Sequence, residues 1–162
     1  MSTVYLGLGS NIDPLENLRR AIKDLENRFG KLESSSVYRS AAYGFDGDDF
    51  LNMVTRLETE LRPEEVYAET ERIQRAAGRD RTSRGYTSRT LDIDLLLFDD
   101  LIINKPPIRL PRQDVLKFGF VLCPLAEIAP DFVHPETRLS VQEHWSQFDA
   151  DDHPITRESI IP

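Results

Sequence analysis

Two carboxylates, Asp92 and Asp94, stand two residues apart in the otherwise apolar run Leu91–Phe98. If that run is a strand, its side chains alternate faces, and both acids point the same way about 6.6 Å apart. Two acids on one buried face repel each other and lose hydration. A hard divalent cation relieves both costs, and the spacing suits Mg²⁺ held by carboxylates together with substrate phosphates. The plain alternative is a pair of solvated acids. Just upstream, Arg72, Arg75, Arg79, Arg81, Arg84 and Arg89 are set against a single acid, Asp80, so residues 72–89 carry +5 in a chain of net charge −8. Arginine is the residue for bidentate phosphate recognition. Solvated arginines on a loop are the alternative, but this cluster runs straight into the acid pair. Phosphate clamps beside a dicarboxylate metal site are the parts needed for nucleotide phosphoryl transfer.

Other chemistry is sparse. No glycine-rich loop leads into a Lys-Ser/Thr pair, so there is no Walker-type phosphate cradle. Gly7-Leu8-Gly9 follows apolar residues, but Ile12 stands where a dinucleotide fingerprint needs glycine or alanine. The two glycines read as a strand end and tight turn, with Ser10 and Asn11 available to satisfy backbone groups. His134, His144 and His153 lack metal-ligand spacing and read as structural or surface residues. Cys123, before Pro124 among apolar residues, reads as a packed thiol. With few bases available, positioning and metal charge must supply most of any catalysis.

These residues need a frame. Residues 3–9 read as a buried strand. Asp13-Pro14-Leu15-Glu16 predicts a helix start with Asp13 as cap and Glu16 completing a capping box. Leu15, Leu18, Ile22, Leu25 and Phe29 recur at helical spacing, and Gly30 ends that helix. Residues 32–39 predict a strand, 40–49 a loop, and 50–59 a half-buried strand by alternation. A second helix runs from Pro63 to about Ala77, and 91–98 form another strand. The order β-α-β-β-α-β predicts an antiparallel sheet covered by helices on one face. Short proline-punctuated elements follow, with helices near 124–129 and 140–148. The polar last dozen residues are expected to be mobile.

At 162 residues, the chain is expected to form one domain, 1–162, with a core that needs no staples. Apolar residues are 40% and charged residues 30%, a globular balance that excludes collagen-like or disordered chains. The N-terminus has no basic region followed by a long apolar stretch, and no run is long enough to span a membrane. One cysteine excludes an internal disulfide framework and fits a reducing cytoplasm. The acidic balance argues against nucleic acid or an anionic membrane as partner.

The arginine loop joined to Arg89-Thr90-Leu91-Asp92-Ile93-Asp94 resembles the 6-hydroxymethyl-7,8-dihydropterin pyrophosphokinase family of the folate pathway. Gly9-Ser10-Asn11, Val37-Tyr38-Arg39-Ser40, Phe50-Leu51-Asn52 and the stretch Phe120–Pro130 resemble its other signatures, in the same order. The resemblance implies an α+β, ferredoxin-like βαββαβ core with C-terminal additions. It implies a monomer that transfers the diphosphate of ATP to the pterin hydroxymethyl group and releases AMP. By position, Asp92 and Asp94 would hold two Mg²⁺ ions, with Arg79 and Arg89 beside them in the catalytic set. Gln74, Arg79, Arg81, Tyr86, Arg89, Leu95, Arg109 and Arg112 would bind the nucleotide. Phe50 and Phe120 would sandwich the pterin by stacking, and Asn52 with Ser40, Ala41 and Tyr43 would read its edge.

The chain departs from the family pattern at several positions. Thr87-Ser88 replaces a Gly-Pro pair, and Ala41 a proline. Gln74 replaces a glutamate, Arg112 a histidine and Phe118 a basic residue beside Lys117. These changes imply a working enzyme with weakened nucleotide contacts. They also leave two rivals: a degenerate paralogue that binds pterin or nucleotide without turnover, and an RNA-binding ferredoxin-like domain. The net charge of −8 speaks against the second.

Overall fold

The computed structural model describes residues 1–78, 91–151 and 153–162. Strand β1 (Ser2–Ser10) leads into helix α1 (Pro14–Phe29), followed by β2 (Glu33–Ser34), β3 (Val37–Ser40) and β4 (Phe50–Thr59). Helix α2 (Pro63–Ala76) and strand β5 (Asp92–Phe98) complete the βαββαβ order. The main sheet runs β5-β1-β4-β3-β8 with antiparallel pairing throughout, and β2 pairs with β4 beside β3. This is a ferredoxin-like sheet with one strand, β8 (Ile155–Glu158), added at its edge. Between β5 and β8 lie the hairpin β6 (Ile103–Lys105) and β7 (Ile108–Leu110), then α3 (Asp114–Lys117), α4 (Gly119–Ile128) and α5 (Val141–Gln147).

Both faces of the sheet are covered, which corrects the one-sided arrangement expected from the element order. Val4, Leu6, Leu8, Leu51, Met53, Leu57 and Ile93 pack with Leu18, Ala21 and Leu25 of α1 and Val66 and Ile73 of α2. On the opposite face, Tyr5, Val54, Leu96 and Leu97 pack with Val115, Val121, Leu122 and Leu125 of α3 and α4 and Val141 of α5. A strand buried on both faces reads as a near-continuous apolar run. That is why β4 is buried along most of its length rather than on alternate residues. The register of β1 against β5 shifts between Tyr5 and Leu6, which lets the run Leu95-Leu96-Leu97-Phe98 fill both layers.

Several local expectations change. Asp13 adopts a left-handed backbone (φ 42°) and makes no side-chain cap; its carbonyl accepts from Asn17 N at 3.0 Å. The strand expected over 32–39 is broken at Ser35, whose hydroxyl accepts from Val54 N at 2.9 Å. Helix α4 begins at Gly119, five residues before Pro124. The tail expected to be mobile contains β8, paired with β3 through Val37↔Glu158 to Ser40↔Ile155. Among the described residues, no helix is long and apolar enough to cross a membrane.

Candidate active site

The sheet face under α3 and α4 carries a cavity of about 290 Å³. Its floor comes from three adjacent strands. Cross-strand pairing sets Gly9 between Asn52 and Asp92, and Gly7 between Val54 and Asp94. Gly7 and Gly9 are therefore strand residues, not the strand end and turn expected from the sequence. A Cβ at Gly9 would come within 3.3 Å of Asn52 Oδ1, and one at Gly7 within 3.3 Å of Leu96 Cδ1. Their lack of side chains keeps the floor bare where a ligand would lie against backbone.

Asp92 and Asp94 both line this cavity, as their spacing predicted. Behind them, the backbone N–H of Ile93 points away from β1 and donates to Gln74 Oε1 at 3.0 Å. Gln74 Nε2 in turn donates to Thr70 O at 3.1 Å and Glu71 Oε1 at 3.3 Å. Gln74 is buried and lies behind the acid-bearing strand, outside the cavity lining. In front, Arg112 Nη2 lies 3.5 Å from Asp94 Oδ1, and Arg112 Nε lies 3.3 Å from Asp114 Oδ2. Burial works against the Arg112 charge, but Asp94, Asp114 and Asp92 outweigh it and raise its pKa further. Arg112 thus bridges Asp94 and Asp114 at this corner of the cavity. No cluster of three or more acidic, histidine or cysteine side chains is poised to hold a metal among the described residues. A two-carboxylate set suits Mg²⁺, which keeps water and phosphate oxygens among its ligands.

A second, smaller cavity of about 170 Å³ opens on the other side of Asp94. Tyr67 and Glu71 of α2, Leu95, Ile108, Arg109 and Arg112 surround it. Arg109 Nη1 donates to Pro111 O at 2.8 Å, which fixes its guanidinium at the rim. Asp94 and Arg112 line both cavities, so the two spaces meet at one carboxylate and one guanidinium.

The larger cavity has aromatic walls. Phe50 and Phe120 both line it, together with Ser40, Ala41, Tyr43 and Asn52. Asn52 is buried, and its amide nitrogen donates to Ser40 Oγ at 2.9 Å and Tyr38 O at 3.3 Å. The amide oxygen is then the atom it has left to offer a ligand. Phe118, at a position where the family pattern has a basic residue, is buried and stacks on Phe120 at 4.8 Å between centroids. It also meets Tyr43 edge-on at 4.9 Å, and Lys117 Nζ lies 5.0 Å from its centroid. Phe45 stands edge-on to Phe50 at 6.3 Å. Loop 41–49 is tied at its far end by Asn11, whose amide donates to Asp48 O at 3.1 Å.

The structure thus brings together Asp92, Asp94, Arg112 and Asn52 with Phe50, Phe120 and Ser40–Tyr43. Leu95 and Arg109 fall in the adjoining cavity. Arg79, Arg81, Tyr86 and Arg89, like Thr87 and Ser88, lie outside the described residues. Phe45 and Asp114 also line the cavity, although the sequence alone does not single them out, and Phe118 lines it as an aromatic wall rather than as a replaced cation. Single aromatics and acids outside long periodic elements carry no signal, and only the fold brings them to the cavity.

Known proteins resemble this chain in sequence and in fold. A family model described as 7,8-dihydro-6-hydroxymethylpterin-pyrophosphokinase matches residues 5–130, and the chain belongs to that family. It is 36% identical over 145 residues to the 2-amino-4-hydroxy-6-hydroxymethyldihydropteridine pyrophosphokinase of Aquifex aeolicus, covering 88% of this chain and 90% of the relative. It is 38% identical over 152 residues to the protein of the same name from Haemophilus influenzae, covering 91% and 94%. The crystal structure of wild-type Plasmodium falciparum HPPK-DHPS shares the fold, with a TM-score of 0.73 at 12% identity over 90% of this chain. The present chain spans 44% of that longer one.

Proposed function

We infer that the chain is an ATP-dependent pyrophosphokinase of folate biosynthesis. It transfers the diphosphate of ATP to the hydroxymethyl group of 6-hydroxymethyl-7,8-dihydropterin and releases AMP. The observation that carries this reading is the pair of cavities meeting at Asp94 and Arg112, one aromatic and one rimmed by arginine. The pterin lies in the larger cavity, where Phe50 and Phe120 take its flat ring between them and Asn52 with the Ser40–Tyr43 backbone reads its edge. The nucleotide reaches from the smaller cavity, with Leu95 and Arg109 beside it, and its phosphates meet the pterin hydroxyl over Asp94. Arg79, Arg81, Arg89 and Tyr86 complete the nucleotide side in this proposal.

Asp92 and Asp94 would hold the Mg²⁺ ions, two by family resemblance, and their place on one face of the cavity supports that assignment. When bound, the metal supplies positive charge to the phosphate oxygens. The chain's own contribution is positioning. Buried hydrogen bonds fix Asn52 and the strand bearing the two aspartates, and Arg112 reaches a phosphate by exchanging its carboxylate partners. Gln74 serves this arrangement from behind the strand. A monomer of one domain acting in the cytoplasm completes the proposal, and the single cysteine fits a reducing compartment. The paralogue and RNA-binding alternatives are not favoured by the comparisons. Incubation with ATP, Mg²⁺ and the reduced pterin should yield AMP and pterin diphosphate in equal amounts. AMP without pterin diphosphate, or neither product, overturns the reading.

A further inference from the structure

The last ten residues return to the aromatic cavity. Pairing of β8 with β3 delivers His153 beside loop 41–49, where its Nε2 lies 2.9 Å from Ala41 O. A carbonyl oxygen only accepts, so Nε2 carries the proton and donates. The imidazole is tilted against Tyr43 at 5.6 Å and edge-on to Phe120 at 5.9 Å. Tyr43 meets Phe118, and Phe118 stacks on Phe120. Four rings from three distant segments therefore close into a circuit, and the tail supplies one of them. We propose that His153 is a positioning residue for the pterin site: its hydrogen bond to Ala41 and its contacts with Tyr43 and Phe120 fix the loop and the stacking wall before substrate arrives. Asn11 anchors the far end of the same loop at Asp48, so His153 supplies the matching anchor at the near end. A loop held at both ends loses less conformational entropy when it closes on a ligand.

The proposal rests on the assignment of the larger cavity to the pterin, and the test separates the two. Pterin and a non-hydrolysable ATP analogue are titrated by calorimetry into the wild type, His153→Ala, His153→Gln and His153→Phe, with melting curves for each. The wild type binds both ligands. His153→Ala weakens pterin binding about tenfold, the scale of one lost hydrogen bond with its ring contacts. Its ATP-analogue affinity stays within twofold. In turnover assays KM for pterin rises with kcat near wild type, a split that general destabilisation does not produce. His153→Gln keeps a donor and His153→Phe keeps a ring, so each recovers part of the loss. Pterin affinity unchanged in His153→Ala, or equal losses for both ligands, overturns the positioning role while leaving the cavity assignment intact. Failure of the wild type to bind pterin overturns the cavity assignment and the positioning role together.

Discussion

Replacing Gln74 with leucine tests how the strand bearing Asp92 and Asp94 is held. Among the described residues β5 is an edge strand paired only with β1, so the outward N–H of Ile93 needs a partner from outside the sheet. Gln74 Oε1 supplies it at 3.0 Å from a position only 1% exposed. Leucine fills similar volume but leaves that N–H buried and unpaired, at about 1–3 kcal/mol. For a chain of this size each kcal/mol lowers Tm by roughly 2–4 °C, so a loss near the middle of that range is about 4–8 °C. Because Ile93 lies between Asp92 and Asp94, the Mg²⁺ concentration for half-maximal activity should rise as well. Gln74→Glu keeps an acceptor for Ile93 but sets a buried carboxylate against Thr70 O and Glu71, so at neutral pH it should cost at least as much as Gln74→Leu. Melting curves and a Mg²⁺ titration provide the readouts. A Tm for Gln74→Leu within about 1 °C of wild type would refute the reasoning, since the buried N–H would then not depend on Gln74.

Asp92→Asn and Asp94→Asn should each abolish turnover while the circular dichroism spectrum stays native; near-normal rates at ordinary Mg²⁺ would remove these residues from the metal assignment. Phe120→Ala should weaken pterin binding by about 1–3 kcal/mol, the range for stacking on an aromatic ring, with ATP-analogue affinity little changed by calorimetry. Phe118→Arg should lower pterin affinity without tightening ATP, because Phe118 is buried in the ring cluster rather than facing a phosphate. Burial would raise the Glu127 pKa, but hydrogen bonds from Tyr38 and Ser36 outweigh it and hold the carboxyl below its usual value. A lowered folded pKa gives stability that is full above the unfolded value of about 4.3 and is lost as pH falls through the folded one. The Tm gap between wild type and Glu127→Gln should therefore narrow as pH drops from 6 towards 3, as thermal melts will show.

Much of this architecture is legible in the sequence because its signals are periodic or closely spaced. The helical recurrence from Leu15 to Phe29 and the turn residues around 40–49 each fix an element by local physics. Asp92 and Asp94 share a face for the same reason: a strand alternates whatever surrounds it. Less legible are features set by contacts distant in sequence. The covering of the second sheet face by α4 depends on where Phe118–Ile128 returns, and nothing in its composition says so. Gly7 and Gly9 look like turn glycines because strands rarely contain them, whereas a cavity floor requires residues without side chains. Phe118 looks like a missing cation when aligned by position, yet its ring partners, Tyr43 and Phe120, hold it in the wall. His153 looks like a surface histidine until β8 pairs with β3.

That pairing has another consequence. Without β8, the outer edge of β3, Val37-Tyr38-Arg39-Ser40, would stand open as a row of unpaired backbone donors and acceptors. Such an edge invites pairing with another chain. β8 takes its place as the terminal strand, but it is only four residues long and carries Arg157 and Glu158, both poor templates for a further strand. The C-terminal segment thus guards the sheet against edge-to-edge self-association, and a chain shortened by its last ten residues should precipitate at concentrations where the intact chain stays dispersed.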